Sequence, residues 1–255
     1  MTDSLKSRIA RGDRLAGTFV KTASHQSMEV LCGAGMDFVV IDAEHAPFSP
    51  DALDLCLLAA RAQGVPALVR VPDTQAGTFL QCLDMGATGL LVPHARTPEG
   101  VAEDLKKARY VGGSRGFSNS PRAGGYGQVG MADHIRRADA EVACVFQIED
   151  AEAIEHIEAL AALEGVAGYL IGRADLAVSL GCTDIHAEPV VQAVDKVAEA
   201  CRRHGKPLGI FVTDVAETAR WVDQGLSFFI VASDQAFLAR QASQVMAQFT
   251  QLHRQ

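Results

Sequence analysis

The chain has 255 residues, 48% of them apolar and 21% charged, the balance of a globular protein with a substantial core and not of a disordered one. A net charge of −8 argues against a nucleic-acid partner, which selects a concentrated basic face; Lys106-Lys107 and Arg136-Arg137 read as short solvated pairs on helices. The polar start of the chain shows no targeting signal, and no stretch offers the roughly 20 uninterrupted apolar residues of a spanning helix, so a cytoplasmic chain without a membrane partner is expected.

In chain order, β-rich runs at residues 15–20, 38–42, 67–71, 89–93, 142–148, 168–171, 208–212 and 228–232 alternate with longer helical stretches. Several runs are apolar on successive residues, as in Phe38-Val39-Val40-Ile41, the pattern of parallel strands buried on both faces. Ser49 before Pro50 and Thr97 before Pro98 read as helix caps, and Gly64, Gly86, Gly205 and Gly225 as helix stops. Eight βα units in about 250 residues predict an α/β fold, a single (β/α)₈ TIM barrel over residues 1–255. An open doubly wound sheet is disfavoured, because the first turn, Lys21-Thr22-Ala23-Ser24, lacks a glycine-rich phosphate loop. The six cysteines are scattered without a CxxC pair and read as buried thiols. One stretch, 110–130, is long and glycine-rich; its aromatic residues and Arg115 and Arg122 favour a functional loop over a disordered insertion.

The carboxyl ends of the strands form the active-site face of such a barrel, and the polar residues gather there. Asp42, Glu44 and His45 follow the second strand, Arg70 ends the third, Gln147 and Glu149 end the fifth, and Asp175 follows the sixth. Glu149 and Asp175 offer oxygen ligands from neighbouring strands, which suits Mg²⁺, Mn²⁺ or Co²⁺; each also precedes a helix and is open to a capping role, though Asp150 is the better cap. His45 is either a solvated loop residue or a proton shuttle oriented by Asp42. Arg70, closing an apolar strand, needs a partner: an ion pair or a developing oxyanion. His94, after the fourth strand, is placed to line the pocket, whereas Asp84 reads as a surface residue.

The runs Ile41–Pro47 (IDAEHAP), Val69–Pro72 (VRVP), Leu83–Ala87 (LDMGA), Leu90–Pro93 (LLVP), Ser114–Gly116 (SRG), Gln147–Glu149 (QIE) and Ile171–Leu176 (IGRADL) together resemble one family over essentially the whole chain. It is the metal-dependent, class II pyruvate aldolases typified by 4-hydroxy-2-oxoheptanedioate aldolase and 2-dehydro-3-deoxyglucarate aldolase. The resemblance implies Glu149 and Asp175 as ligands of a divalent cation, His45 as base, Arg70 as the cation beside the enolate, and Asp84 as an acid that raises the basicity of the histidine. It implies Asp42 as a member of that hydrogen-bonded group. Gln147, Ala174, Gly172 and Val212, with Arg70, are the implied substrate-binding positions. Where the family reads Gly-Pro-Ala-Asp, this chain has Gly172-Arg173-Ala174-Asp175, and its 117–127 loop also differs; both departures bear on the aldehyde accepted.

The expected activity is therefore a lyase (aldehyde-lyase) that forms the enolate of pyruvate or hydroxypyruvate and adds it reversibly to an aldehyde. The rivals are a Schiff-base aldolase using Lys21, carbon–carbon lyase chemistry on an acyl-CoA (disfavoured by the lack of a basic site for its phosphates), and a non-catalytic metabolite-binding barrel. The resemblance further implies a homo-oligomer, a hexamer built as a trimer of dimers. Its subunits would exchange the last helix, expected over 236–252 with the apolar stripe Phe237, Leu238, Val245, Met246 and Phe249; packing of that stripe on its own barrel is the alternative.

Overall fold

A computed structural model describes residues 3–253. Its strands are β1 (Leu15–Val20), β2 (Phe38–Asp42), β3 (Ala67–Arg70), β4 (Gly89–Val92), β5 (Ala143–Ile148), β6 (Gly168–Ile171), β7 (Leu208–Val212) and β8 (Phe228–Ser233). Each pairs in parallel with the next and β8 pairs with β1, closing an eight-stranded barrel as expected. The helices are α1 (Leu5–Ala10), α2 (His25–Gly33), α3 (Pro50–Ala62), α4 (Ala76–Asp84), α5 (Pro98–Ala108), α6 (Met131–Glu141), α7 (Ala151–Glu155), α8 (Ile157–Ala162), α9 (Arg173–Ser179), α10 (Glu188–Arg203), α11 (Thr218–Asp223) and α12 (Asp234–His253). Among the described residues, no helix is long and apolar enough to cross a membrane.

The local signals act as their chemistry dictates. Ser49 accepts the Ala52 N–H and Thr97 the Gly100 N–H, each at 3.2 Å, with proline in the first turn that follows. Gly64 and Gly86 leave their helices at φ 71° and 94°, a region in which a side chain is strained.

Side chains alternate along every strand, so two cores form. Val39, Ile41, Val69, Leu90, Phe146, Tyr169 and Ile210 point outward and pack against the helices. Leu15, Phe19, Phe38, Val40, Leu68, Leu91, Val145, Leu170, Phe228 and Ile230 point inward and fill the barrel. Leu5 and Ile9 of α1 join this inner core, so α1 plugs the amino-terminal mouth. Burying each of these two side chains stabilises the fold by about 1.5–3 kcal/mol. The barrel is therefore closed below, and the inward positions at the carboxyl ends are left for polar residues.

The 110–130 stretch, expected to be a functional loop, lies away from the carboxyl face. It leaves the far end of α5, and helices that return from the carboxyl face end on the amino face. Arg115 binds Asp84 at 2.8 Å, and Arg122 binds the Asp54 carboxylate at 2.7 Å and the Met85 carbonyl at 2.7 Å, fixing the loop there. A cavity of about 830 Å³ opens on this amino face, lined among others by Arg8, Arg61, Gly86, Thr88, Arg115 and Val142.

Candidate active site

The inward parity of each strand selects the site. On β2 it carries Val40 to Asp42, on β3 Leu68 to Arg70, and on β5 Val145 to Gln147 and then Glu149. Beyond β1 the same parity reaches Lys21, and beyond β6 it reaches Gly172.

Asp42 and Arg70 lie side by side in register, and the guanidinium grips the carboxylate twice: Nε to Oδ1 at 2.9 Å and Nη2 to Oδ2 at 2.7 Å. Burial alone would push Asp42 up, but the Arg70 hydrogen bonds and charge, the His45 amide and Lys21 together hold it below the usual carboxylate range. Asp42 thus serves Arg70 and accepts the His45 backbone N–H at 3.1 Å; it does not orient the imidazole, which corrects the expected pairing. Arg70 also stacks its guanidinium 4.5 Å from the Phe19 ring centroid, and Nη1 is left free by the double grip.

Glu44 was named at the polar rim from the sequence but given no role. Its Oε2 is 3.4 Å from Arg70 Nε and 3.6 Å from His45 Nε2, and its Oε1 is 3.9 Å from His94 Nε2. It joins three cationic or titratable groups at one rim. A second acid, between Asp42 and His45, was the available signal. The His45 side chain is 54% exposed and stands at the mouth.

Glu149 is buried and accepts the His94 N–H on Oε1 at 2.9 Å, while Gln147 donates to its Oε2. Burial, opposed by His94 and reinforced by the Asp175 and Glu44 charges, pushes Glu149 up to about 7. The Gln147 Oε1 atom is buried with no partner. Gly172 makes room for this pair: a Cβ there would lie 2.7 Å from Gln147 Nε2 and 2.8 Å from Glu149 Oε2. Gly172 therefore packs against the acid and the amide. Asp175 and Ala174 lie exposed in the first turn of α9, whose leading N–H groups have no intrahelical partner. A buried carboxylate with two acids around it and an unanswered amide oxygen beside it is a donor set that fits a hard divalent cation.

His94 sits in the left-handed region at φ 56° and donates or accepts at Nδ1 with Asp150 Oδ2, 2.9 Å away; Arg96 Nε holds the other Asp150 oxygen at 3.1 Å. The Asp150 carboxylate is thus drawn to His94 and Arg96 and makes no cap bond to α7, against the expected capping role. Burial opposes but the Asp150, Glu149 and Glu44 charges raise the His94 pKa above its ordinary value.

Two expected positions fall elsewhere, and Arg173, whose role the sequence left open, turns outward. Val212 is fully buried in the outer core, because β7 turns Phe211 inward and Val212 toward the helices; it is no part of the site face. Asp84 ends α4 on the amino face and takes Arg115, so a single chain does not bring it to His45. Arg173 is buried, binds Glu217 at 2.7 Å and lies 5.2 Å from the Trp221 ring centroid, which turns it outward between barrel and α11. Lys21 is drawn into an ion pair with Asp42 at 3.3 Å.

Residues 15–240 match the family model described as HpcH/HpaI aldolase/citrate lyase. A hydroxypyruvate/pyruvate aldolase of Paraburkholderia phytofirmans is 33% identical over 253 residues, covering 96% of this chain and 96% of that protein. A 4-hydroxy-2-oxovalerate aldolase of Rhodococcus jostii is 35% identical, covering 98% and 97%. The crystal structure of an HpcH/HpaI aldolase/citrate lyase family protein from Burkholderia cenocepacia superposes with a TM-score of 0.91 at 31% identity, covering 96% of this chain and 98% of that one. With the barrel, the rim of acids and these likenesses in agreement, the chain belongs to the HpcH/HpaI aldolase/citrate lyase family.

Proposed function

We propose that the protein is a divalent-metal-dependent aldolase that forms the enolate of pyruvate or hydroxypyruvate and adds it reversibly to an aldehyde. The observation that carries this reading is Glu149, buried, crowded by Asp175 and Glu44, and pushed up to about 7. Glu149 and Asp175 would hold the cation. When bound, it supplies Lewis acidity toward the keto oxygen of a 2-oxo acid.

The remaining roles follow from the chain's own groups. Gln147, donating through its amide Nε2, and the Ala174 N–H in the first turn of α9 would orient the 2-oxo acid. Arg70, clamped by Asp42, keeps its charge and a free Nη1 beside the forming oxyanion without reorganising. His45 takes a proton from the carbon next to the keto group; that carbon then forms a bond to the aldehyde carbon, and the new alkoxide recovers a proton. The reverse cleaves a 4-hydroxy-2-oxo acid. The Schiff-base route asks for a lysine desolvated among apolar groups, whereas Lys21 is engaged with buried Asp42.

The metal would be Mg²⁺, Mn²⁺ or Co²⁺, the compartment the cytoplasm, and the assembly a hexamer, a trimer of dimers exchanging α12. On α12, Phe237 packs on its own barrel, while Leu238, Val245, Met246 and Phe249 of the same stripe, and Leu252, are 52–75% exposed, which does not fit packing on their own barrel. Any action of Asp84 on His45 requires a second copy. Light scattering should show no stable monomer at micromolar concentration; a monomer there would refute the assembly.

The functional test is condensation of pyruvate or hydroxypyruvate with a panel of aldehydes, with and without prior cation removal. Cation-dependent product is expected. A protein that binds a 2-oxo acid yet turns over no aldehyde would instead be a metabolite-binding barrel.

A further inference from the structure

His94 is placed by a strained backbone for a purpose that the aldol steps above leave unused. Its φ of 56° is uncommon for a residue with a side chain and persists only where surroundings enforce it. That twist aims the backbone N–H at Glu149 Oε1, at 2.9 Å, and at the same time brings Nδ1 within 3.6 Å of the same oxygen and 2.9 Å of Asp150 Oδ2. The ligand atoms of His94, Glu149 and Asp150 all lie within 4.8 Å of one another. Around a cation with bonds of about 2.1 Å, adjacent donors sit roughly 3.0–3.4 Å apart, and the 3.6 Å between His94 Nδ1 and Glu149 Oε1 is within a small side-chain adjustment of that spacing. The unpartnered, buried Oε1 of Gln147 next to Glu149 is an independent sign that a group is still to enter there.

Resting on the reading that Glu149 holds a divalent cation, we propose that His94 supplies an imidazole nitrogen ligand to that cation, exchanging its hydrogen bond to Asp150 for the metal. The site then offers nitrogen as well as carboxylate oxygen, and it discriminates for Mn²⁺ and, more strongly, Co²⁺ against Mg²⁺, which prefers oxygen and water. Asp150, released by the ring, keeps its ion pair with Arg96.

The experiment uses full-length protein loaded with Mn²⁺ alone and reads ¹⁴N coupling to the metal by pulsed electron paramagnetic resonance, with Mn²⁺, Co²⁺ and Mg²⁺ affinities from equilibrium dialysis. His94→Asn tolerates the left-handed backbone and removes the imidazole; His94→Gln is the second variant. Wild type is expected to show ¹⁴N coupling that both variants lose and His45→Ala keeps. The variants should also narrow the preference for Co²⁺ over Mg²⁺ by about tenfold. Coupling that survives in both variants, or that is missing from a wild type whose Mn²⁺ binding Glu149→Gln weakens, overturns His94 as a ligand and leaves the cation reading standing. Mn²⁺ binding indifferent to Glu149→Gln overturns the cation reading itself, and the ligand with it.

Discussion

The two ends of this barrel carry similar residue types to opposite effect. On the amino face three arginines each hold a carboxylate, the buried Arg115 with Asp84 and Arg122 with Asp54, and the half-buried Arg8 with Asp37 at 2.6 Å, although Arg115 Nε is left without a partner. On the carboxyl face Glu149 has Asp175 and Glu44 as neighbours, and Gln147 leaves an oxygen without a partner. The roomy 830 Å³ cavity lies at the matched end, so size alone would misplace the chemistry. A closed set of pairs stabilises a loop; an open set of like charges awaits something of opposite sign.

Substitutions at the two ends should separate these roles. The largest effect is expected at His45. His45→Ala should lower both aldol turnover and hydrogen exchange on pyruvate by on the order of 10²–10⁴-fold with bound metal near the wild-type level; near-normal exchange would identify another base. Next, Glu149→Gln should weaken cation affinity by roughly 100-fold in dialysis, because an amide removes one of the compensating charges. An unchanged affinity would place the cation elsewhere.

At the matched end the effect should be on folding alone. Arg122→Met gives up its bonds to Asp54 and the Met85 carbonyl and should cost about 1–2 kcal/mol in denaturant unfolding, with cation affinity unmoved. A change in cation affinity would erase the distinction between the two faces. The smallest effect is one of pH. Asp42 is held below its ordinary range, so its stabilising contribution is complete above the ordinary aspartate value of about 3.9 and is lost as pH falls through its lower folded value. The stability gap between wild type and Asp42→Asn should therefore be flat above about pH 5 and shrink in stronger acid; a gap that widens in acid would contradict the ion pair as described.

Much of this was legible in the sequence, and the failures share a cause. Runs such as Phe38-Val39-Val40-Ile41 announce buried parallel strands, and four of the eight expected strands coincide with the observed ones while the other four differ by one residue at one end. The rim of Asp42, Arg70, Gln147 and Glu149 follows once strand ends are known. Val212 was lost because inward and outward alternate, and a strand end does not reveal its parity until its partners are known. Asp150, Asp84 and Arg173 were misread or left open because a charged side chain's partner is a tertiary fact: Arg96 and His94 for the first, Arg115 for the second, Glu217 for the third.

The most direct test of the central claim is hydrogen–deuterium exchange at the methyl group of pyruvate, followed by nuclear magnetic resonance without any aldehyde present. Wild type stripped of divalent cations, the same protein resupplied with Mn²⁺, and Glu149→Gln given the same Mn²⁺ concentration, below saturation for the variant, are compared. Exchange is expected to collapse on stripping, return with Mn²⁺ in wild type, and stay low in Glu149→Gln. Full exchange by the stripped enzyme, with borohydride trapping pyruvate on Lys21, would contradict the account and return Glu149 and Asp175 to structural roles.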